Sequence, residues 1–253
     1  MLTTIDLCAD VGESFGNYEW VTDTALLDIV SSVNIACGFH AGDPRSMMAT
    51  TKLAVEKGCA IGAHPGFPDL VGFGRRIMEL SKEEITTDVL YQLGALQAFA
   101  TGHGANINHV LPHGQLANMA NVRGDYASAI VDACALFSEE MVIVAPPGQL
   151  ADEAQKRNFP VAHVAFIDRN YQDNGQLVPR NQQHAVIVDE QTIIDRCKKM
   201  IIEQSVTTVS GKEWPVKCDT LLLHGDTSGA VRLAYALREA LLKEGIAIQS
   251  YQS

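Results

Sequence analysis

SVNIACGFHAGDPRSMMATTKLAVEKGCAIGAHP, residues 32–65, compresses the plan of the whole chain into one stretch. It opens with an apolar run, SVNIACGF, that stops at His40. Asp43-Pro44 follows, an N-cap residue with proline behind it in the first helical turn. Pro44 to Lys57 reads as a helix, and Gly58 stands where a C-terminal cap takes a left-handed backbone. A second apolar run, CAIGAHP, then stops at His64. Apolar strands without inside–outside alternation, joined through a helix, predict a parallel sheet covered on both faces.

The same unit recurs outward in both directions. The other apolar runs are TTIDLCAD, INHVLPHG, EMVIVAPP, VAHVAFID, HAVIV and TLLLHGD. Helical segments are predicted between the runs at roughly 18–32, 44–57, 81–102, 121–137, 148–157, 189–202 and 228–243. Ser81 and Glu84 form a capping-box pair at the start of one of them. No linker, low-complexity run or sequence repeat divides the chain, so residues 1–253 read as a single α/β domain.

Bulk composition narrows the function. Hydrophobic residues make up 47% of the chain and charged residues 19%, a balance that supports a packed core. A net charge of -11, without any Lys/Arg-rich run, excludes a phosphate-neutralising face and hence a nucleic-acid binder. MLTTIDLCADVGE lacks the basic and apolar regions of a signal peptide, and no apolar run is long enough to span a membrane. The six cysteines lack CxxC spacing, and most lie among apolar neighbours. They read as free buried thiols in a cytoplasmic protein.

The polar residues at the ends of these runs carry the chemistry. Asp10, His40, His64, His113, Asp168-Arg169, and His224 with Asp226 terminate six of the eight apolar runs. In barrels and open α/β sheets the reaction site is built at the C-terminal strand ends. The candidate catalytic residues are therefore Asp10, His40, His64, His113 and His224. Asp10, His40 and His64 also make a plausible set of ligands for a divalent hydrolytic metal; otherwise they serve as proton-transfer groups. There is no GxSxG elbow, GxGxxG turn or GxxxxGK[ST] loop, and Cys37 reads as a buried strand cysteine.

The segments IDLCADVGESFG (5–16), VNIACGFHAGDP (33–44), AIGAHPGFPDLVGFGRR (60–76), PHG (112–114), FIDRNY (166–171), GQLVPR (175–180) and LHGDTSGAV (223–231) resemble the LamB/YcsF family, in family order across nearly the whole chain. The resemblance implies a (β/α) barrel of the seven-stranded type found in glycoside hydrolases and polysaccharide deacetylases. It also implies ATP-dependent opening of the lactam 5-oxoproline to glutamate, together with 5-oxoprolinase subunits B and C. Within the matching segments, Glu13, Asn34, Asp43, Arg75, Asp168, Arg169 and Asp226 are candidate substrate-binding residues. The chain departs from the usual family pattern at Leu111 (lysine), Ala117 (tyrosine), Val164 (glutamate) and His184 (glycine). Beside the lactam-opening reading, two alternatives stay open. One is a self-sufficient metal-dependent amidase or deacetylase, the other a non-catalytic ligand-binding relative.

Overall fold

A computed structural model describes residues 3–17, 23–179, 182–223 and 229–250. Seven parallel strands form a closed barrel. They are β1 (Thr4–Val11), β2 (Ser32–Ala36), β3 (Ala60–His64), β4 (Ile107–Val110), β5 (Val142–Ala145), β6 (Val161–Phe166) and β9 (Thr220–Leu223). They follow one another around the wall, and β9 pairs with both β6 and β1 to close it. β10 (Ala247–Ile248) adds to the start of β1. An antiparallel hairpin, β7 (Ser205–Thr207) with β8 (Glu213–Pro215), lies outside the barrel. The seven-stranded expectation holds.

Eight helices are described: α1 (Asp23–Leu27), α2 (Pro44–Lys57), α3 (Lys82–Gly102), α4 (Gly114–Val122), α5 (Gly124–Phe137), α6 (Gln149–Lys156), α7 (Glu190–Ile202) and α8 (Ala230–Lys243). The local start signals act as the sequence indicates. The Asp43 carboxylate accepts from the amides of Arg45 and Ser46 at 2.8 and 2.9 Å, and Gly58 ends α2 at φ 72°. Ser81 and Glu84 close a reciprocal capping box on α3. Along α3, Ile85, Val89, Leu93, Leu96 and Ala100 are buried, the mixed i+3 and i+4 spacing that turns one stripe toward the barrel wall. No helix among the described residues is long and apolar enough to cross a membrane.

Two predicted elements need correction. HAVIV, 184–188, is not a barrel strand. Val188 is 89% exposed, and only Val186 makes a bridge, antiparallel to Arg169. The run instead belongs to a loop whose Ile187 amide donates to the Asp168 carbonyl at 2.8 Å. The predicted helix at 121–137 is preceded by another, α4, and the two part at Arg123, whose backbone is extended.

The sheet separates two hydrophobic regions. The larger lies between barrel and helices and includes Leu7, Ala9, Val11, Val33, Ile35, Leu93 and Tyr126. The smaller, Cys8, Leu111, Val142, Val144, Ala162, Val164 and Leu222, fills the lumen. Because side chains alternate along a strand, Asp6 and Asp10 share the lumen face of β1 with Cys8. All six cysteines are free and buried.

Candidate active site

At the C-terminal mouth of the barrel, four side chains converge: Glu13 after β1, His40 in the loop before α2, His64 at the end of β3, and His113 at the start of α4. One potential ligand atom from each lies within 4.8 Å of all the others, and all four residues are buried. His40 Nε2 is 3.3 Å from Glu13 Oε1, and His113 Nδ1 is 3.8 Å from the same oxygen. The His40 and His113 rings stack with centroids 3.7 Å apart and planes 4° from parallel. Asp10 adjoins them, with Oδ2 3.6 Å from His64 Nε2. Desolvation holds the His40 imidazole well below its usual pKa, and proximity to His113, His64 and Arg75 pushes it further the same way.

Backbone carbonyls orient two of these rings. His64 Nδ1 lies 2.6 Å from the Leu111 carbonyl, and His113 Nε2 lies 2.8 Å from the Phe73 carbonyl. A carbonyl only accepts, so both of these nitrogens carry the hydrogen. The facing pair, His64 Nε2 and His113 Nδ1, meets at 2.9 Å on the side of Glu13. Carbonyl-backed imidazoles whose other nitrogens converge on a carboxylate are the outer arrangement that metal-binding histidines use. The cluster thus has the composition and convergence to hold a divalent metal. The set differs from that expected from sequence: Glu13 and His113 join His40 and His64, and Asp10 stands beside them.

The loop after β3 is built around these rings. Gln92, wholly buried on α3, accepts from the Gly66 amide at 2.9 Å and donates to the Gly66 carbonyl at 3.0 Å. Phe73 sets its ring edge-on to His40 and His113, and the exposed Arg75 lies over its outer face, 5.0 Å from the centroid. At Gly74, φ 63°, an added Cβ would sit 2.8 Å from both His113 Cδ2 and His40 Cβ. Only glycine fits there.

The remaining candidates divide. Asn34 is wholly buried and donates to Asp10 Oδ1 at 3.0 Å. Asp43 caps α2 and accepts from the Gly16 amide at 3.0 Å; these amides hold its pKa down. Arg169 braces the loop after β6, donating to the carbonyls of Val178 at 2.6 Å and Ala185 at 3.3 Å. Asp168, also buried, sits just beyond the end of β6. His224 and Asp226 lie outside the described residues. His109, absent from the sequence candidates, is wholly buried, and its Nε2 is 2.9 Å from Asn34 Oδ1. Its signal was a histidine inside an apolar strand, two positions before the strand-end loop.

Comparison with known proteins agrees with this architecture. The model of the LamB/YcsF family matches residues 5–253. The 5-oxoprolinase A subunit of Staphylococcus haemolyticus is 46% identical over 247 residues, covering 97% of this chain and 99% of its own. The crystal structure of a lactam utilization protein from Thermus thermophilus superposes with a TM-score of 0.94 at 41% identity, covering 98% of this chain and 100% of that one. A family 4 carbohydrate esterase from Streptomyces lividans, 10% identical, shares the fold alone, with a TM-score of 0.51 over 99% of this chain and 93% of its own.

Proposed function

The chain belongs to the LamB/YcsF family, and from that premise we propose that it is the lactam-opening subunit of an ATP-dependent 5-oxoprolinase. The relatives' names support a role in 5-oxoproline metabolism. One observation carries the finer reading: Asp10, Glu13, His40, His64 and His113 converge at the barrel mouth. Hydrolysis of the lactam adds water to the carbonyl carbon, breaks the C–N bond and leaves the nitrogen as an amine. The water must lose a proton and the departing nitrogen must gain one. Asp10, braced by Asn34 beside His64, is the acceptor for the water's proton and returns it to the departing nitrogen as the C–N bond breaks. Buried walls around the histidines exclude bulk water, and the exposed Arg75 over the Phe73 ring supplies a positive charge to attract a small anionic lactam.

Glu13, His40, His64 and His113 would hold a divalent metal, and such an ion polarises an amide carbonyl and acidifies bound water. A planar, unstrained amide resists hydrolysis, which gives ATP coupling through subunits B and C its purpose. The sequence has no recognisable nucleotide loop, so the nucleotide step is assigned to the assembled complex in the cytoplasm.

The test is reconstitution. With subunits B and C, ATP and 5-oxoproline, glutamate should form in step with ATP consumption, and the isolated chain should form none. ATP-dependent turnover by the isolated chain would contradict the proposal. The ligand cluster favours one second reading, a self-sufficient metal hydrolase. It predicts amide or lactam cleavage by the isolated, metal-loaded chain without ATP.

A further inference from the structure

Below the histidine cluster, four residues occupy one rung of the barrel. Asp10 is paired with Asn34, Asn34 with Gly62, and Gly62 with His109, so the row crosses β1, β2, β3 and β4 in register. Hydrogen bonds run along it: Asn34 Nδ2 donates to Asp10 Oδ1 at 3.0 Å, and His109 Nε2 meets Asn34 Oδ1 at 2.9 Å. The last link passes over β3, and Gly62 is what lets it pass. A Cβ there would lie 1.9 Å from His109 Nε2, inside the ring's own volume. A glycine in a strand interior weakens the strand, so its presence marks a close approach.

The row also depends on an irregularity in β4. Ile61 pairs with Ile107, but Gly62 pairs with His109, so Asn108 is the extra residue of a bulge. Asn108 is exposed, and its side chain accepts from the Ile61 amide at 3.3 Å. A one-residue bulge re-aims the side chains that follow it. Here it turns a wholly buried histidine into the lumen.

We infer that Asn34 and His109 are positioning residues that fix the orientation of Asp10, a role that rests on Asp10 acting in the proposed ring opening. The polarity of the row supplies the reason. A carboxylate only accepts, so Asn34 must present its NH2 to Asp10 and its carbonyl to the other side. An asparagine side chain is nearly symmetric in shape, and nothing about its volume prevents a flip that would aim oxygen at oxygen. A hydrogen on His109 Nε2 forbids the flip, because only the carbonyl of Asn34 can accept it. Burial drives the His109 pKa down to about 3, so the ring stays neutral and keeps this single hydrogen throughout the working pH range. Asp10 is thereby held with Oδ1 engaged and Oδ2 toward His64 Nε2, 3.6 Å away.

Two measurements test this. Side-chain 15N NMR of histidine-labelled protein, with His109 assigned by its loss in H109Q, should show a neutral Nε2–H tautomer unchanged between about pH 5.5 and 8.5. An Nδ1–H tautomer or a charged ring would overturn the row, whatever the activity. In the reconstituted complex, H109L should lower kcat by about 10–100-fold, the range for outer-layer partners, with KM little changed. H109Q, which restores an N–H donor, should recover most of that loss. Equal losses in H109L and H109Q, or a loss confined to KM, would refute a positioning role. The same assay on D10N separates the two levels. Full activity in D10N removes Asp10 from the chemistry and this inference with it. An inactive D10N beside a fully active H109L would refute the positioning role and leave the site reading standing.

Discussion

The two halves of the barrel lumen are built from different materials. From β1 to β4 the inward side chains include Asp6, Asp10, Asn34, His64 and His109, all buried. On β5, β6 and β9 they are mainly apolar, Val142, Val144, Ala162, Val164, Phe166 and Leu222, with Thr220 at the start of β9 turned to Asp6. On the polar side most of these groups have named partners. Asp6 accepts from Ser31, Ser32 and Thr220 at 2.7, 2.8 and 2.5 Å, and desolvation still raises its pKa. Buried polar groups without partners cost several kcal/mol each, so such a half survives only as a network. The apolar half is the reverse, interchangeable contacts whose worth scales with area. One side of the lumen therefore offers packing, and the other gathers the titratable groups that the proposed reaction would use.

Leu111 and Val164 sharpen the contrast. These are two of the four departures from the usual family pattern, far apart in sequence, yet both lie in the lumen cluster and both are buried. Where the resemblance implies lysine and glutamate, this chain has two apolar side chains that join the lumen cluster. A lysine at Leu111 alone would bury a charge among Val142, Val144 and Val164. L111K should therefore destabilise the protein by about 3 kcal/mol or more, read as a lower urea midpoint. Adding V164E should recover part of the loss. A double variant no more stable than L111K would show that the two positions do not interact.

A smaller effect distinguishes the halves by pH. His109 has a folded pKa of about 3 against an ordinary value of 6.5, so between these values the unfolded chain binds the extra proton. Its contribution to stability is fully present above pH 6.5 and is lost as pH falls toward 3, by up to about 1.4 kcal/mol per pH unit. Thermal unfolding midpoints measured from pH 7.5 to 5 should fall, and H109L should flatten that slope. V144A, in the apolar half, should lower the midpoint by the same amount at every pH. Smallest of all, removing the cap with D43A should cost about 1 kcal/mol through α2.

The sequence made the apolar half and the strand ends legible, because continuous apolar runs and their terminating residues are local signals. Asp10, His40, His64 and His113 were found this way, and they converge. The caps at Asp43 and Ser81 were equally plain, since each depends on residues within one turn. The row beneath the site was not visible. The bulge at Asn108 breaks the period from which a face is assigned, and only the register of four strands brings His109 to Asn34. HAVIV misled for the opposite reason: it has a strand's composition, but Arg169 and the Asp168 carbonyl hold it in a loop. Glu13 was assigned to substrate because chain order hides that the turn after β1 folds it back against His40.

The most direct test compares one residue from each half in the same reconstituted assay. D10N should lose about 100-fold or more in 5-oxoproline ring opening while unfolding close to the wild-type temperature. V144A should lose about 2 kcal/mol of stability and retain most of its activity at a temperature where it is folded. A fully active D10N, or a folded V144A as inactive as D10N, would contradict the assignment of chemistry to the polar half of the lumen.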